Sequence, residues 1–249
     1  MYVNIKALVI REARYKEADK ILTLLTPDRG RITASAHGAL SKKSRIASAC
    51  QQLTYSDFVL DLRNGRYSVK EASVMESFSG LRADFSAMAL ACYFCDCAET
   101  FAFEDEGNDE ILRLCLNSFY ALSNGLYPQS KIKASFEFRL ISAAGYCPDL
   151  GACPVCGREH ADGESMVFCI ENGTVCCRDC YSSALGAGKM IDGAVLRSIR
   201  YIISAPLNRF LSFKTEDTSL RELYYLSESY FLYHAARSFQ TLDYWKKIK

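Results

Sequence analysis

With 249 residues, 49% hydrophobic and 24% charged, the chain has room for one medium core or two smaller ones, two being the reading adopted, and its composition excludes a largely disordered polymer. No window approaches bilayer-spanning length and residues 1–11 alternate in polarity, which excludes a membrane-spanning helix there and leaves the expectation of a soluble, cytoplasmic protein. The net charge of +1 conceals an asymmetry: residues 1–80 hold 13 Lys/Arg against 8 Asp/Glu, a net of +5, and the remainder 17 against 21, a net of −4, so a polyanion is the expected partner of the N-terminal part.

The first elements read as strands. Val3, Ile5, Ala7 and Val9 alternate from Tyr2 to Ile10, and Ile21 to Thr26 has the same character. Pro27-Asp28-Arg29-Gly30 is a turn, with proline presetting its entry and glycine supplying a positive φ, and Arg31 to Ala36 is the returning strand. A loop rich in Gly, Ser and Lys follows. Gln51 to Leu62 alternates with one break in phase near Asp57, which predicts a bulge, and Asn64-Gly65 turns the chain back through Arg66 to Val74. Five short antiparallel strands in about eighty residues suit a closed barrel of the OB type, a fold that holds single-stranded nucleic acid or oligosaccharide.

Beyond Gly80 the period becomes helical. Asp84 is placed to cap a helix bearing Phe85, Met88, Ala89, Cys92, Cys95 and Phe103, and Asn108 or Asp109 a second bearing Ile111, Leu112, Leu116, Phe119 and Tyr120. A third is expected from Gln129 to Ala144, stopping at Gly145, and two more over about Asp192 to Ser204 and Ser219 to Phe239. The fold class is therefore α+β: an OB-fold barrel over 1–80, then a helical domain over 81–249 with a cysteine-rich module inserted at about 147–182.

Twelve cysteines in a chain of this kind argue for reduced thiols plus one metal site rather than a disulfide scaffold. Cys153-Pro154-Val155-Cys156-Gly157 and Cys177-Arg178-Asp179-Cys180 are two C-x-x-C pairs separated by 20 residues. Each pair forms a tight turn offering two thiolates, and together they fill a tetrahedral shell, for which zinc is the natural and structural occupant. Met166-Val167-Phe168 and Thr174-Val175, joined across Glu171-Asn172-Gly173, read as the hairpin of a zinc ribbon. Cys176 in place of Cys177, His160 in place of one thiolate, and nearby Cys169 are the competing donors; only Cys177 gives the two-residue spacing to Cys180. Cys92, Cys95 and Cys97 lie in an apolar helical pattern and read as core rather than a redox pair. His37 and His234 have no matching catalytic partners, and neither a P-loop, a dinucleotide fingerprint nor an H-E-x-x-H motif occurs. A binding protein rather than an enzyme is expected.

Arg31, then Lys42, Lys43 and Arg45 in a flexible polar loop, with Arg11, Arg63 and Arg66 on the same basic segment, are candidate nucleic-acid-binding residues that neutralise phosphates without reading bases. Lys16, Lys20 and Lys70 add to the basic character, and Tyr15, Tyr55 and Tyr67 are candidates to stack on bases. An RNA-binding OB and zinc-ribbon factor shares all these features; a thiol enzyme using the spare cysteines is the reading from another class and needs an exposed thiol of low pKa.

The order of features resembles one family. Ala7-Leu8-Val9-Ile10, the run Glu17 to Thr26, Gly30-Arg31 and the loop Gly38 to Arg45 resemble the N-terminal domain of the bacterial recombination mediators of the RecO family. Ala144-Gly145-Tyr146-Cys147-Pro148-Asp149-Leu150, running into Cys153 and Cys156 and then Gly173 to Cys180, is similar to that family's zinc-bearing segment. The resemblance spans essentially the whole chain. It implies an N-terminal OB-fold, a helical C-terminal domain with an inserted zinc module, and no enzymatic turnover. It also implies binding of single- and double-stranded DNA, strand annealing, association with RecR and single-strand-binding protein, help in loading RecA, and a nucleoid-associated place in the cytoplasm.

Overall fold

The computed structural model of the protein describes residues 1–104, 106–160 and 164–249; Asp105 and positions 161–163 of the expected zinc module lie outside the described residues. The chain forms two compact units, residues 1–124 with 239–249, and residues 125–238. Among the described residues no helix is long and apolar enough to cross a membrane.

The first unit contains a closed barrel of five strands, β1 (Tyr2–Tyr15), β2 (Asp19–Leu25), β3 (Arg31–Ala36), β4 (Tyr55–Arg63) and β5 (Arg66–Glu76), in the order β1-β2-β3-β5-β4. Ile5, Ala7, Val9, Leu22, Leu24, Ile32, Ala34, Phe58, Leu60 and Val69 point inward, as period two requires of strands with one buried face. β1 serves two partners: residues 2–8 pair with β4 and residues 8–15 with β2, the register shifting between Val9 and Arg11 where the strand bends. Both turn signals hold. Gly30 has φ 61° and its carbonyl accepts from the Thr26 backbone and hydroxyl, while Asn64 and Gly65 both have positive φ, as the tight hairpin turn demands.

The bulge expected near Asp57 is not on β4, which pairs regularly with β1 from Asp61 to Tyr55. The irregularities in the β4–β5 ladder place the extra residues, Lys70 and Met75, on β5. The phase break in the sequence arises because Leu53 lies before the strand, in a turn at φ 67°. The segment between β3 and β4 also differs from the flexible loop expected. Ala39 and Cys50 are buried in the barrel core, Ile46 packs against it, and Leu53 N–H donates to Val9. Small apolar residues spaced through a polar-looking stretch seat it on the barrel.

Helices α1 (Ser79–Ala83), α2 (Phe85–Phe101) and α3 (Asp109–Ser123) follow in the same unit. Asp84 accepts from Ala87 N–H at 3.0 Å and caps α2 as expected. Phe85, expected on this helix, is exposed and Phe103 lies beyond its end and is exposed too, whereas Tyr93, Phe94, Cys95 and Cys97 fill its core side.

The second unit is built on α4 (Gln129–Ala143), β6 (Met166–Cys169), β7 (Thr174–Cys177), β8 (Gly188–Ile191), α5 (Gly193–Ser204) and α6 (Asp217–Ala235), with β6 between β7 and β8. Asp192 caps α5 by accepting from Val195 N–H at 2.7 Å and also receives the Ser219 hydroxyl at 2.8 Å. The last predicted helix ends early: Ala236 takes a left-handed conformation at φ 49°, and a separate helix, α7 (Gln240–Ile248), belongs to the first unit. There Trp245 is buried and donates to Ser86 at 3.2 Å, and Thr241 donates to Asp96 at 2.6 Å.

Candidate functional site

Two turns and a hairpin build the metal site. In the first C-x-x-C, Gly157 N–H closes onto the Cys153 carbonyl at 2.9 Å, and Gly157 takes φ 71°, a conformation that favours glycine. The second begins at the end of β7 and closes through one helical turn, with Tyr181 N–H donating to the Cys177 carbonyl at 3.0 Å. The Sγ atoms of Cys153, Cys156, Cys177 and Cys180 all lie within 4.8 Å of one another. A tetrahedral shell with metal–sulfur bonds of about 2.3 Å has edges of about 3.8 Å, and Cys156 and Cys177 stand 3.8 Å apart. The four side chains therefore fit one ion with little movement.

Electrostatics agree with that fit. Burial pushes the Cys153 thiol up, but the backbone N–H groups of Cys156, Cys177 and Val155 outweigh it and hold the thiol at about 5. Cys180, crowded first by the Cys156 sulfur and then by burial, is pushed up to about 12. Four sulfurs this close do not carry four negative charges unless a cation sits among them. Arg158 Nη2 lies 3.4 Å from Cys177 Sγ and adds positive charge, a contact the spacing of the motif does not reveal. The competing donors fall outside the cluster. Cys176 Sγ lies 3.6 Å from Cys153 Sγ but is not one of the four mutually close sulfurs, Cys169 is buried nearby, and His160 Nε2 bonds the Val175 carbonyl at 3.0 Å. The thiols of α2 and α3 are those of a core: burial raises Cys92 to about 11 and Cys115 to about 12, and Cys95 well above its usual range. None of these three is the activated nucleophile a thiol enzyme needs.

The seven candidate phosphate-binding cations divide by their surroundings. Lys42, Lys43 and Arg45 are exposed, and among the described residues none has a carboxylate within ion-pair distance. Their loop is pinned at its start, where Asp19 accepts Gly38 N–H at 2.8 Å, meets His37 Nδ1 at 2.9 Å and has its carboxyl lowered, by the Gly38 bond first and His37 second. Leu40 N–H donates to the Ala18 carbonyl, and Ser44 N–H to that of Ser41. The three cations thus project from an ordered platform. Arg66 is exposed beside the β4–β5 turn, while Arg63 pairs with Asp61 at 2.8 Å. Arg11 pairs with Glu99 at 3.3 Å, and Arg31 reaches both the Glu99 carbonyl at 2.9 Å and the Glu104 carboxylate at 2.5 Å.

β3 runs parallel to β5 with Ala34 beside Tyr67, so the β4–β5 turn lies toward the Arg31 end of β3 and the loop cations at its Ala36 end. By that register Arg66 falls beside Thr33, three residues or about 10 Å along the strand from Ala36, where the loop begins. Thr23 faces Arg11 on one side and Thr33 on the other, a small polar surface between them. Of the tyrosines, Tyr15 is exposed near the β1–β2 turn, Tyr55 is half-buried, and Tyr67 packs on the barrel core with its hydroxyl 3.2 Å from Arg29.

A family model described as Recombination protein O N terminal matches residues 1–78, the barrel, and one described as Recombination protein O C terminal matches residues 82–243. The chain belongs to the RecO family. Among RecO proteins, the DNA repair protein RecO of Acetivibrio thermocellus is 32% identical over 247 residues, covering 99% of this chain and 97% of that one. The DNA repair protein RecO of Desulforudis audaxviator is 31% identical over 244 residues, covering 98% and 96%. RecO membership gives the barrel its OB-fold assignment and the chain a role in DNA repair and recombination.

Proposed function

We propose that the chain is a non-enzymatic recombination mediator that binds single- and double-stranded DNA, anneals complementary strands, and with RecR helps load RecA onto strands coated by single-strand-binding protein. Its place is then in the cytoplasm, at the nucleoid. One observation carries the DNA-binding part: Lys42, Lys43 and Arg45 are exposed and free of carboxylate partners on an ordered loop of an OB barrel in a RecO chain. Cations carried on a loop whose backbone is already ordered lose less freedom when they meet phosphate, and they bind it without regard to sequence. Arg66, beside β3 near Thr33, extends the same path; Arg11, Arg31 and Arg63 are the charge candidates already engaged with acidic residues.

In this reading the metal is zinc and its role structural, since protein sulfurs fill all four tetrahedral positions and leave none for an activated water. Cys153, Cys156, Cys177 and Cys180 would hold it and tie the β6–β7 hairpin to the segment before it. The direct test is annealing of complementary oligonucleotides coated with single-strand-binding protein, with and without RecR. Faster annealing of coated strands is the expected result; no acceleration with either protein present would remove the mediator reading, and a clear preference for RNA of the same sequence would replace it with RNA binding.

A further inference from the structure

The last turn of α2 carries Glu99 and the segment after it Glu104 and Glu106, and that segment lies on the barrel at the arginines that a DNA strand along β3 would meet. It is not the ion pairs that hold it there. Gly30 and Glu104 form a backbone bridge, Arg31 N–H donates to the Phe103 carbonyl at 2.9 Å, and Asn108 N–H to that of Pro27 at 2.9 Å. The Asn108 side chain in turn donates to the Phe103 and Glu106 carbonyls at 2.9 and 3.0 Å. The fit is close: a Cβ on Gly30 would stand 2.1 Å from the Phe103 oxygen. A backbone seat this tight has no need of carboxylates, yet two of them reach the outward-facing arginines. Each pair keeps one partner in solvent, Arg11 at 64% exposed against 24% for Glu99 and Glu104 at 69% against 28% for Arg31, and ion pairs open to water on one side contribute little to folding.

We propose that Glu99 and Glu104 are a built-in phosphate mimic, which neutralises Arg11 and Arg31 and withholds them from DNA. An arginine already balanced by a carboxylate releases no net counterion when phosphate approaches, because the freed carboxylate takes up a cation in exchange. The barrel then binds through the loop cations and Arg66, weakly enough to let strands go, which annealing requires. This rests on the DNA-binding reading above, and the experiment separates the two.

The assay is anisotropy of a fluorescein-labelled 20-nucleotide oligothymidine titrated with the full-length chain between 50 and 200 mM KCl. Removing both carboxylates in Glu99→Gln/Glu104→Gln leaves the charges of Arg11 and Arg31 unbalanced, although Arg31 keeps its bond to the Glu99 carbonyl, and steepens the slope of log affinity against log salt by about 1.4, at roughly 0.7 per contact, so the affinity ratio across that fourfold salt range grows about sevenfold. Arg11→Gln/Arg31→Gln leaves the slope of the parent chain unchanged and abolishes the gain when combined with the glutamate changes, a cycle that isolates the paired interaction from a general loss of negative charge. Thermal melts of each variant check that the unit stays folded; should the double variant unfold, Glu104→Gln alone gives half the effect. The proposal is overturned by an unchanged slope in the glutamate variant, by a gain that survives removal of the arginines, or by a flatter slope when the arginines alone are removed. If replacing Lys42, Lys43 and Arg45 leaves the slope unaltered while the glutamate variant steepens it, the loop assignment fails and this inference stands. If neither chain binds the oligonucleotide, both fall.

Discussion

Between α4 and α6, Lys133 is fully buried with its ammonium 2.8 and 3.0 Å from the two carboxylate oxygens of Glu137, also fully buried, and 2.9 Å from Glu228. It sits 4.4 Å from the centre of the Tyr224 ring, and the Ser227 hydroxyl donates to Glu137 at 2.7 Å. Replacing Lys133 by Met keeps the volume of the side chain and removes its charge. Three charge-assisted contacts at roughly 1.5–3 kcal/mol each set a gross loss of about 5–9 kcal/mol. Part of this is returned because the ammonium no longer has to leave water, so a net cost of about 3–5 kcal/mol is expected for the orphaned carboxylates. With a urea slope no larger than about 3 kcal/mol/M, the unfolding midpoint of the 125–238 unit should fall by at least about 1 M. Replacing all three charges at once, Lys133→Met with Glu137→Leu and Glu228→Leu, should recover most of that loss, because no unpaired ion remains. A loss under about 1 kcal/mol in the single variant, or no recovery in the triple, would refute the view that these charges share a dry environment.

Purified protein should hold one metal ion, and Cys180→Ser should lose it and destabilise the 125–238 unit by about 4 kcal/mol or more, with the barrel unaffected; metal analysis and domain-resolved melting measure this. Because the ligands must be thiolates, affinity for the metal should fall as pH is lowered, which a chelator competition series reads. Replacing Lys42, Lys43 and Arg45 together by alanine should reduce the salt slope by about 2.1 on single strands and 2.7 on duplex, at roughly 0.7 and 0.9 per contact, while stability moves by less than about 0.5 kcal/mol. Gly30→Ala should cost at least about 2 kcal/mol in chemical denaturation, since the new Cβ meets the Phe103 carbonyl at a positive φ.

What could be read from the sequence was what repeats or what is local. Alternation located β1, β2 and β4, the turns at Pro27 to Gly30 and Asn64-Gly65 gave β3 and β5 as returning strands, and the C-x-x-C spacing named the four clustered sulfurs, because a tight turn and its ligands are a few residues apart. The rest depended on partners distant along the chain. α7 offers only Leu242 and Trp245 as buried residues, too few to mark a helix until Ser86 and Asp96 are brought to it. Lys133 and Glu137 are an i,i+4 pair of the kind that decorates exposed helices, and nothing within α4 says that Glu228 and Tyr224 will close over them. The loop from 37 to 54 looked solvated because of its Gly, Ser and Lys; its seating depends on Ala39, Cys50 and Ile46 meeting a barrel core built from strands elsewhere in the chain.

The same distinction governs how a binding face should be judged. Net charge marked the first eighty residues as basic, and seven cations within them were equal candidates on charge alone. Their carboxylate partners make them unequal, and two of those partners, Glu99 and Glu104, lie 88 and 73 residues from the arginines they meet. A run of acidic residues beyond the barrel is the signal that was present in the sequence, for a basic domain followed closely by Glu104 and Glu106 invites the question of which charges reach each other. Only the seating of that segment on Gly30 and Pro27 answers it. For this chain the count of available phosphate contacts is therefore a property of tertiary structure, and a salt slope interpreted from the composition of residues 1–80 would overstate it.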